Sequence, residues 1–281
     1  MAKLARPVDF TRAQARARLP RRDRYSHKAK AGRALVIAGS RAYRGAAVLS
    51  ATAAARVGAG YVSLLGELGS FSVVRHPDFL VIGTGPSQLR RTKFSAVAIG
   101  PGLGVTVRTR RYLEELERLG VERVVVDADA LTVKSREREP RPFPPTWIST
   151  PHEGELARLL GVTAEAIHAD RARFARLGQR RLGGIVVLKG HHTLVATGTR
   201  LYRVRSGNGS LAKAGTGDVL TGLLVGLLAQ GLASLDAARL GVYLHGFLAD
   251  EWVRAGNDPL ALMASDLVER LPRGLARLRK R

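Results

Sequence analysis

The sequence predicts an α/β domain in three layers, α/β/α, with a mainly parallel central sheet and helices on both faces. Three observations carry this expectation. Short β-branched runs alternate with longer amphipathic stretches along most of the chain, the order that builds layered α/β domains. Most short runs are continuously apolar rather than alternating, as strands buried on both faces are. Several of them run straight into glycine-rich segments, at the strand ends where open parallel sheets hold ligands.

Taken in order, residues 34–38 read as a buried strand leading through Gly39 and Ser40 into an Ala-rich helix over 45–57. Strands follow at 61–65, 79–82, 96–99, 124–126 and 185–188, and helices at 106–119, 154–160 and 164–177. Residues 193–197 and 200–204, separated by Gly198 and Thr199, form a hairpin pattern. Helices at 217–230, 235–253 and 265–279 complete the chain. The charged, proline-bearing stretch 137–145 reads as a surface loop.

The chain has 281 residues, 45% hydrophobic and 25% charged. That is enough apolar surface for a large core and excludes a mainly disordered chain. The absence of cysteine excludes disulfides, iron–sulfur clusters, zinc-thiolate sites and a thiol nucleophile, and fits a reducing cytoplasm. The longest nearly apolar run, 219–229, is far short of the ~20 residues of a membrane helix. The Arg-rich start lacks the apolar segment of a secretory signal.

The net charge is +23, and residues 1–33 contribute eleven Lys and Arg against two Asp. We therefore expect a basic arm at 1–33, a single domain at 34–272 and a basic tail at 273–281. Such arms can hold polyanions. Aromatics are 5% of the chain and none is interleaved in the tail, which argues against a nucleic-acid platform.

Four segments carry candidate chemistry. In Gly215-Thr216-Gly217-Asp218 two glycines precede an apolar helix whose first N–H groups can bind an anion. Asp218 is either an ordinary first-turn acid or a base held beside a phosphate. The glycines at 100, 102 and 104 follow the 96–99 strand. Lys189, Gly190, His191, His192 and Thr193 follow the 185–188 strand, where the lysine can neutralise phosphate. The adjacent histidines lack zinc-ligand spacing. His152 sits at a strand-to-helix turn. Asp127 and Asp129 end a strand and either hold Mg²⁺ through water or cap the next turn. His245, on a late apolar helix, reads as core.

Together these residues resemble the ADP/ATP-dependent (S)-NAD(P)H-hydrate dehydratase family, of ribokinase-like fold. The resemblance runs from about Ser26 to Leu271. It rests on His27-Lys28, Gly32-Arg33, 36–40, Tyr43, 45–47, 58–60, 100–104, 127–131, Thr150-Pro151-His152, Lys189-Gly190, Thr193, 215–218 and 241–246. It departs from the family's usual loop at Gly209, Ser210, Lys213 and Ala214, at Ala42 and Arg44, and at Glu153, where proline is usual.

The resemblance implies ADP- or ATP-dependent dehydration of hydrated NADH or NADPH, a nucleotide-repair reaction, with Mg²⁺ as cofactor and no ligand set for the metal apparent. It implies Asp218 as the base, Gly215, Thr216 and Gly217 as an anion hole, and Lys189, Gly190, His191, His192 and Thr193 along the nucleotide. Ala46, Gly104, His152 and Asp218 would contact the hydrate. It also implies a homo-oligomer, a tetramer by analogy, with neither nucleic acid nor membrane as partner. The rival readings are a ribokinase-like kinase of a small alcohol and a non-catalytic, basic polyanion-binding protein.

Overall fold

A computed structural model describes residues 6–22, 25, 28, 30–67, 78–139 and 141–280. Ser26 and His27 lie outside the described residues. The chain starts with β1 (Val8–Asp9), α1 (Arg12–Arg18), β2 (Arg33–Ile37), α2 (Arg44–Val57), β3 (Tyr61–Leu65) and β4 (Leu80–Val81). It continues through β5 (Ala96–Ile99), α3 (Val107–Arg118), β6 (Val124–Val126), α4 (Ala128–Ser135) and β7 (Phe143–Ser149). Next come α5 (Glu153–Leu160), α6 (Ala164–Ala169), α7 (Arg171–Leu182), β8 (Gly183–Leu188), β9 (Leu194–Ala196) and β10 (Leu201–Arg203). The last helices are α8 (Thr216–Ala229), α9 (Ser234–Arg254) and α10 (Ala264–Arg279).

Among the described residues the strands form one sheet, ordered β1-β10-β9-β8-β7-β6-β5-β2-β3-β4. Every pairing is parallel except the two that involve β9, which runs antiparallel to β8 and β10. Alternation along β2 explains why its sequence is continuously apolar. Val36 packs into a core with α2, α8, α9 and α10, whereas Leu35 and Ile37 face a second core with α3, α4, α5 and α7. Each side of the sheet therefore demands its own apolar residues.

The tightest helix pair is α2 against α8. A Cβ on Gly222 would fall 2.2 Å from the Ser50 carbonyl oxygen, and one on Gly226 would fall 2.4 Å from Val57. The alanines of α2 and these glycines let the two backbones approach closely. No helix among the described residues is long and apolar enough to cross a membrane.

Four expectations about the elements need correction. Residues 8–18, expected in a basic arm, supply β1 and α1. Phe10, Ala15 and Leu19 are buried there, and Arg239 lies over the rings of Phe10 and Tyr202. The tail expected from 273 is the end of α10, with Gly274 and Leu278 buried. The expected loop at 137–145 contains the start of β7, because Pro144 and Pro145 sit where the ladder to β8 shifts register between Phe143 and Ile148. Proline is tolerated at such irregularities.

The helix expected over 164–177 is two helices. Asp170 ends α6 and caps α7, its carboxylate accepting from the Arg173 N–H at 3.0 Å. The α4 helix was not foreseen, since its eight residues show no strong apolar face.

Candidate active site

The glycine-rich segments gather beyond the carboxyl ends of β5, β6, β7 and β8, where open parallel sheets carry their ligands. Gly215 caps α8 in a left-handed conformation, φ +89°. The N–H groups of Gly217 and Asp218 in the first turn have no intrahelical acceptor. The Thr216 hydroxyl shares its proton between the carbonyl oxygens of Leu211 at 2.8 Å and Lys213 at 2.9 Å. That bond folds the preceding loop onto the helix start.

Lys189 leaves the end of β8 and its Nζ meets Asp127 Oδ1 at 2.8 Å, at the end of β6. The second Asp127 oxygen accepts from the Thr221 hydroxyl at 2.7 Å, one turn into α8. Burial pushes the Asp127 carboxyl up, but Lys189 and the hydroxyls of Thr221 and Thr150 outweigh it and hold the pKa below the ordinary value. Both oxygens of Asp127 are thus taken, and neither caps α4. Of the alternatives left open for that residue, capping is overturned: Asp127 is the counterion of Lys189.

Among the described residues Asp218 has no such partner, and it is half-buried. Burial raises its pKa, the charges of Asp127 and Asp129 raise it further, and Lys189 opposes them; the result is pushed up to about 7. Asp129 turns toward the glycine loop, accepting from the Gly104 N–H at 2.8 Å.

One hollow of about 530 Å³ opens in front of the α8 start. Lys189, Gly190, His191, His192, Thr193, Thr216, Gly217 and His152 all line it. Arg171 holds the 188–191 turn from behind, donating to the carbonyls of Lys189 at 2.9 Å and Leu188 at 3.2 Å, and to that of His191. Glu153, the departure from proline, pairs with Arg171 at 2.8 Å. Lys213 donates to the Leu260 carbonyl, so its charge faces that loop and not the helix start.

A second hollow, of about 440 Å³, is lined by Gly104 with Ser40, Tyr43, Glu67, Thr84 and Tyr112. Ala46 is half-buried beside it on α2; a Cβ on Gly102 would lie 3.1 Å from the Ala46 Cβ and 2.6 Å from that of Tyr43. The structure therefore separates two of the four residues expected to contact one hydrate. His152 belongs to the first hollow, and Gly104 to the second. The Nδ1 of His152 accepts from the Gly154 and Glu155 N–H groups, at 3.0 and 3.3 Å, and burial lowers its pKa.

His245, expected in the core, instead lines the first hollow, its Nε2 2.9 Å from the Thr216 carbonyl oxygen. Burial lowers its pKa to about 4, so it is neutral and donates from Nε2. Asp250 was missed altogether. It accepts from the Gly207 N–H and from Asn208 Nδ2, both at 3.0 Å. An acid half-buried in a late helix offers no sequence signal of a partner some forty residues earlier.

The profile of the NAD(P)H-hydrate dehydratase family matches residues 34–273. The chain belongs to that family. It is 37% identical over 249 residues to the ADP-dependent (S)-NAD(P)H-hydrate dehydratase of Neisseria meningitidis, covering 86% of this chain and 84% of the relative. The ADP/ATP-dependent NAD(P)H-hydrate dehydratase of Bacillus subtilis, co-crystallised with ATP and Mg²⁺, superposes with a TM-score of 0.88 at 33% identity, covering 97% of this chain and 98% of that one. A bifunctional NAD(P)H-hydrate repair enzyme of Vibrio cholerae is also 37% identical, over 258 residues and 90% of this chain. The chain spans about half of that relative's length, 51%. The expected α/β layering, with its mostly parallel sheet, is the architecture that this family member shares with the Bacillus enzyme.

Proposed function

We propose that the protein catalyses the ADP- or ATP-dependent dehydration of the S form of hydrated NADH and NADPH, returning the intact dinucleotide. The observation that carries this reading is Asp218, half-buried in the first turn of α8 with no side-chain hydrogen bond among the described residues, next to Gly217, which together with the 189–193 turn lines a nucleotide-sized hollow. Family membership supplies the substrate class.

In this reading Asp218 takes the proton from the ring hydroxyl of the hydrate as that oxygen attacks the terminal phosphorus of the nucleotide. ADP leaves as AMP, or ATP as ADP. The phosphate ester then departs with the electron pair of its C–O bond while the neighbouring ring carbon loses a proton. Gly215, Thr216 and Gly217 hold phosphate on main-chain N–H groups, and Lys189 adds positive charge. Gly190, His191, His192 and Thr193 line the nucleotide. Ala46 and Gly104 would border the hydrate at the second hollow, and His152 would meet it from the nucleotide hollow. The pKa of about 7 suits Asp218 to a base operating near neutral pH.

Mg²⁺ fits these residues only as a companion of the phosphates. The described residues include no cluster of three or more His, Cys, Asp or Glu able to cage it, and Asp127 is already engaged. Mg²⁺ needs no cage, since it keeps water and takes one or two carboxylates plus substrate phosphate. Asp129 and Asp218 are the carboxylates that would meet its water shell, and the ion would neutralise phosphate charge.

The direct test incubates the protein with NADH hydrate and follows recovery of the near-ultraviolet absorbance of reduced nicotinamide, with ADP and ATP compared. Recovery that requires a nucleotide supports the reading. Consumption of nucleotide only in the presence of small alcohols contradicts it and restores the kinase alternative.

A further inference from the structure

We propose that a basic hollow at the far end of the α2–α8 pair is a binding site for an oligophosphate, separate from the hollow beside Asp218. It measures about 970 Å³ and is walled by Arg16, Arg21, Arg22, Arg56, Arg279 and Gln230. Among the described residues no carboxylate lines it. Helix α8 has 14 residues, so at ~1.5 Å per residue the hollow lies about 20 Å from Gly215 and Asp218.

The ordinary role of arginines at such a place is to offset helix dipoles. The C-terminal ends of α1, α2, α8 and α10 all reach this hollow. Each carries about half a negative charge, so the four offset about two of the five guanidinium charges and leave about three. The hydrogen bonds divide in the same way. Arg22 donates to the Gly58 carbonyl at 2.6 Å and Arg279 to the Pro20 carbonyl at 2.7 Å, serving the chain itself. Arg16, Arg21 and Arg56 are exposed and form no ion pair with the described residues.

Three guanidiniums that face one cavity with no counterion among the described residues match a ligand with several closely spaced anionic oxygens. Guanidinium binds phosphate oxygens in pairs, as a planar fork. No aromatic side chain lines the hollow, so nothing there offers a stacking face for a nucleobase. This favours a phosphate chain over a single-stranded nucleic acid. The chain is either free or the tail of a nucleoside triphosphate, which share this chemistry.

The experiment titrates the full-length protein with inorganic tripolyphosphate, and separately with ATP, by calorimetry. The same titrations are run on the triple variant Arg16→Gln, Arg21→Gln, Arg56→Gln. We expect wild type to show a class of sites that the variant loses or binds roughly tenfold or more weakly, as charge-assisted hydrogen bonds are the strong ones. Whichever of the two ligands shows the tighter arginine-dependent binding names the source of the chain. Turnover of NADH hydrate by the variant, without tripolyphosphate, should match wild type. If the triple variant melts early, Arg56→Gln alone, at the exposed end of α2, should show the same loss in smaller degree. Isotherms unchanged by the substitutions overturn the proposal. So does arginine-dependent binding of a short RNA without any of tripolyphosphate or ATP, which would make the hollow part of a nucleic-acid surface.

Discussion

Lys189 Nζ sits 2.8 Å from Asp127 Oδ1, joining the ends of β8 and β6 beneath the start of α8. Glu155 Oε2, at 3.7 Å, is a more distant second partner. Asp127 is 2% exposed, so the pair has little water to fall back on. Lys189 keeps its positive charge there because Asp127 and Glu155 outweigh the burial that would lower its pKa.

Asp127→Asn removes the near counterion and leaves a half-buried ammonium with only Glu155, at 3.7 Å, as an acidic partner among the described residues. Loss of one partner from a fully buried pair costs about 3–5 kcal/mol; the exposure of Lys189 and its second partner Glu155 should bring the loss below that range, and urea unfolding at neutral pH should show it. The depressed Asp127 pKa sets the sign with pH. Its contribution is present above the unfolded value of ~3.9 and is lost as pH falls through the lower folded value. The gap between wild type and variant should therefore hold down to about pH 4 and close only below it.

Asp218 shows the opposite linkage. Burial raises its folded pKa to about 7 from an ordinary value of ~3.9, so between those pH values the folded protein holds a proton that the unfolded chain has released. Stability from this group is present at low pH and falls as pH rises between those two values. Thermal melts of Asp218→Asn against wild type should show the variant gaining most above pH 7, by on the order of 1 kcal/mol after allowance for partial exposure. A gain that is equal at pH 5 and pH 8 would contradict the raised pKa.

Gly215→Ala tests the anion hole. Its φ of +89° disfavours a side chain, and a Cβ would lie 2.9 Å from Leu49 Cδ1 and 3.0 Å from Ala264 Cβ. Strain of this kind costs about 1–3 kcal/mol. We expect a lower melting temperature and weaker ADP binding by calorimetry. Gly198→Ala, in the turn between β9 and β10 and outside the lining of the first hollow, where nothing lies within 4 Å of the new Cβ, should leave both nearly unchanged.

The legible parts of the fold were those whose local pattern matches their tertiary role. The strands β2, β5, β6 and β8 are apolar throughout because both faces are covered. The β7 strand was hidden by Pro144 and Pro145, which read as loop residues but sit at a register shift. Helix α1 was hidden by arginines whose guanidiniums lie over rings, Arg12 on Phe247 and Arg18 on Phe10. In the site, Gly215 to Asp218 and Lys189 to Thr193 are continuous in sequence and were readable as such. The Asp127 bonds to Lys189 and Thr221 span 62 and 94 residues, and no local signal reports contacts of that separation.

Arg171 gives a prediction about positioning. Its guanidinium holds the carbonyls of Leu188, Lys189 and His191, and Glu153 orients it. Arg171→Lys keeps the charge but loses the fork. The KM for ADP should rise roughly tenfold, the worth of one strong hydrogen bond, with a smaller change in kcat. Glu153→Gln should shift KM in the same direction and by less. Equal losses in kcat and no change in KM would place Arg171 in the chemistry instead.

The central claim is that Asp218 accepts the proton of the hydrate's hydroxyl. The most direct measurement is turnover of NADH hydrate with saturating ADP by Asp218→Asn, alongside ADP affinity by calorimetry. The account predicts a fall in turnover of ~10²–10⁴-fold, the usual worth of a positioned base, with ADP bound as tightly as by wild type or more so. A variant that restores NADH at the wild-type rate would contradict it.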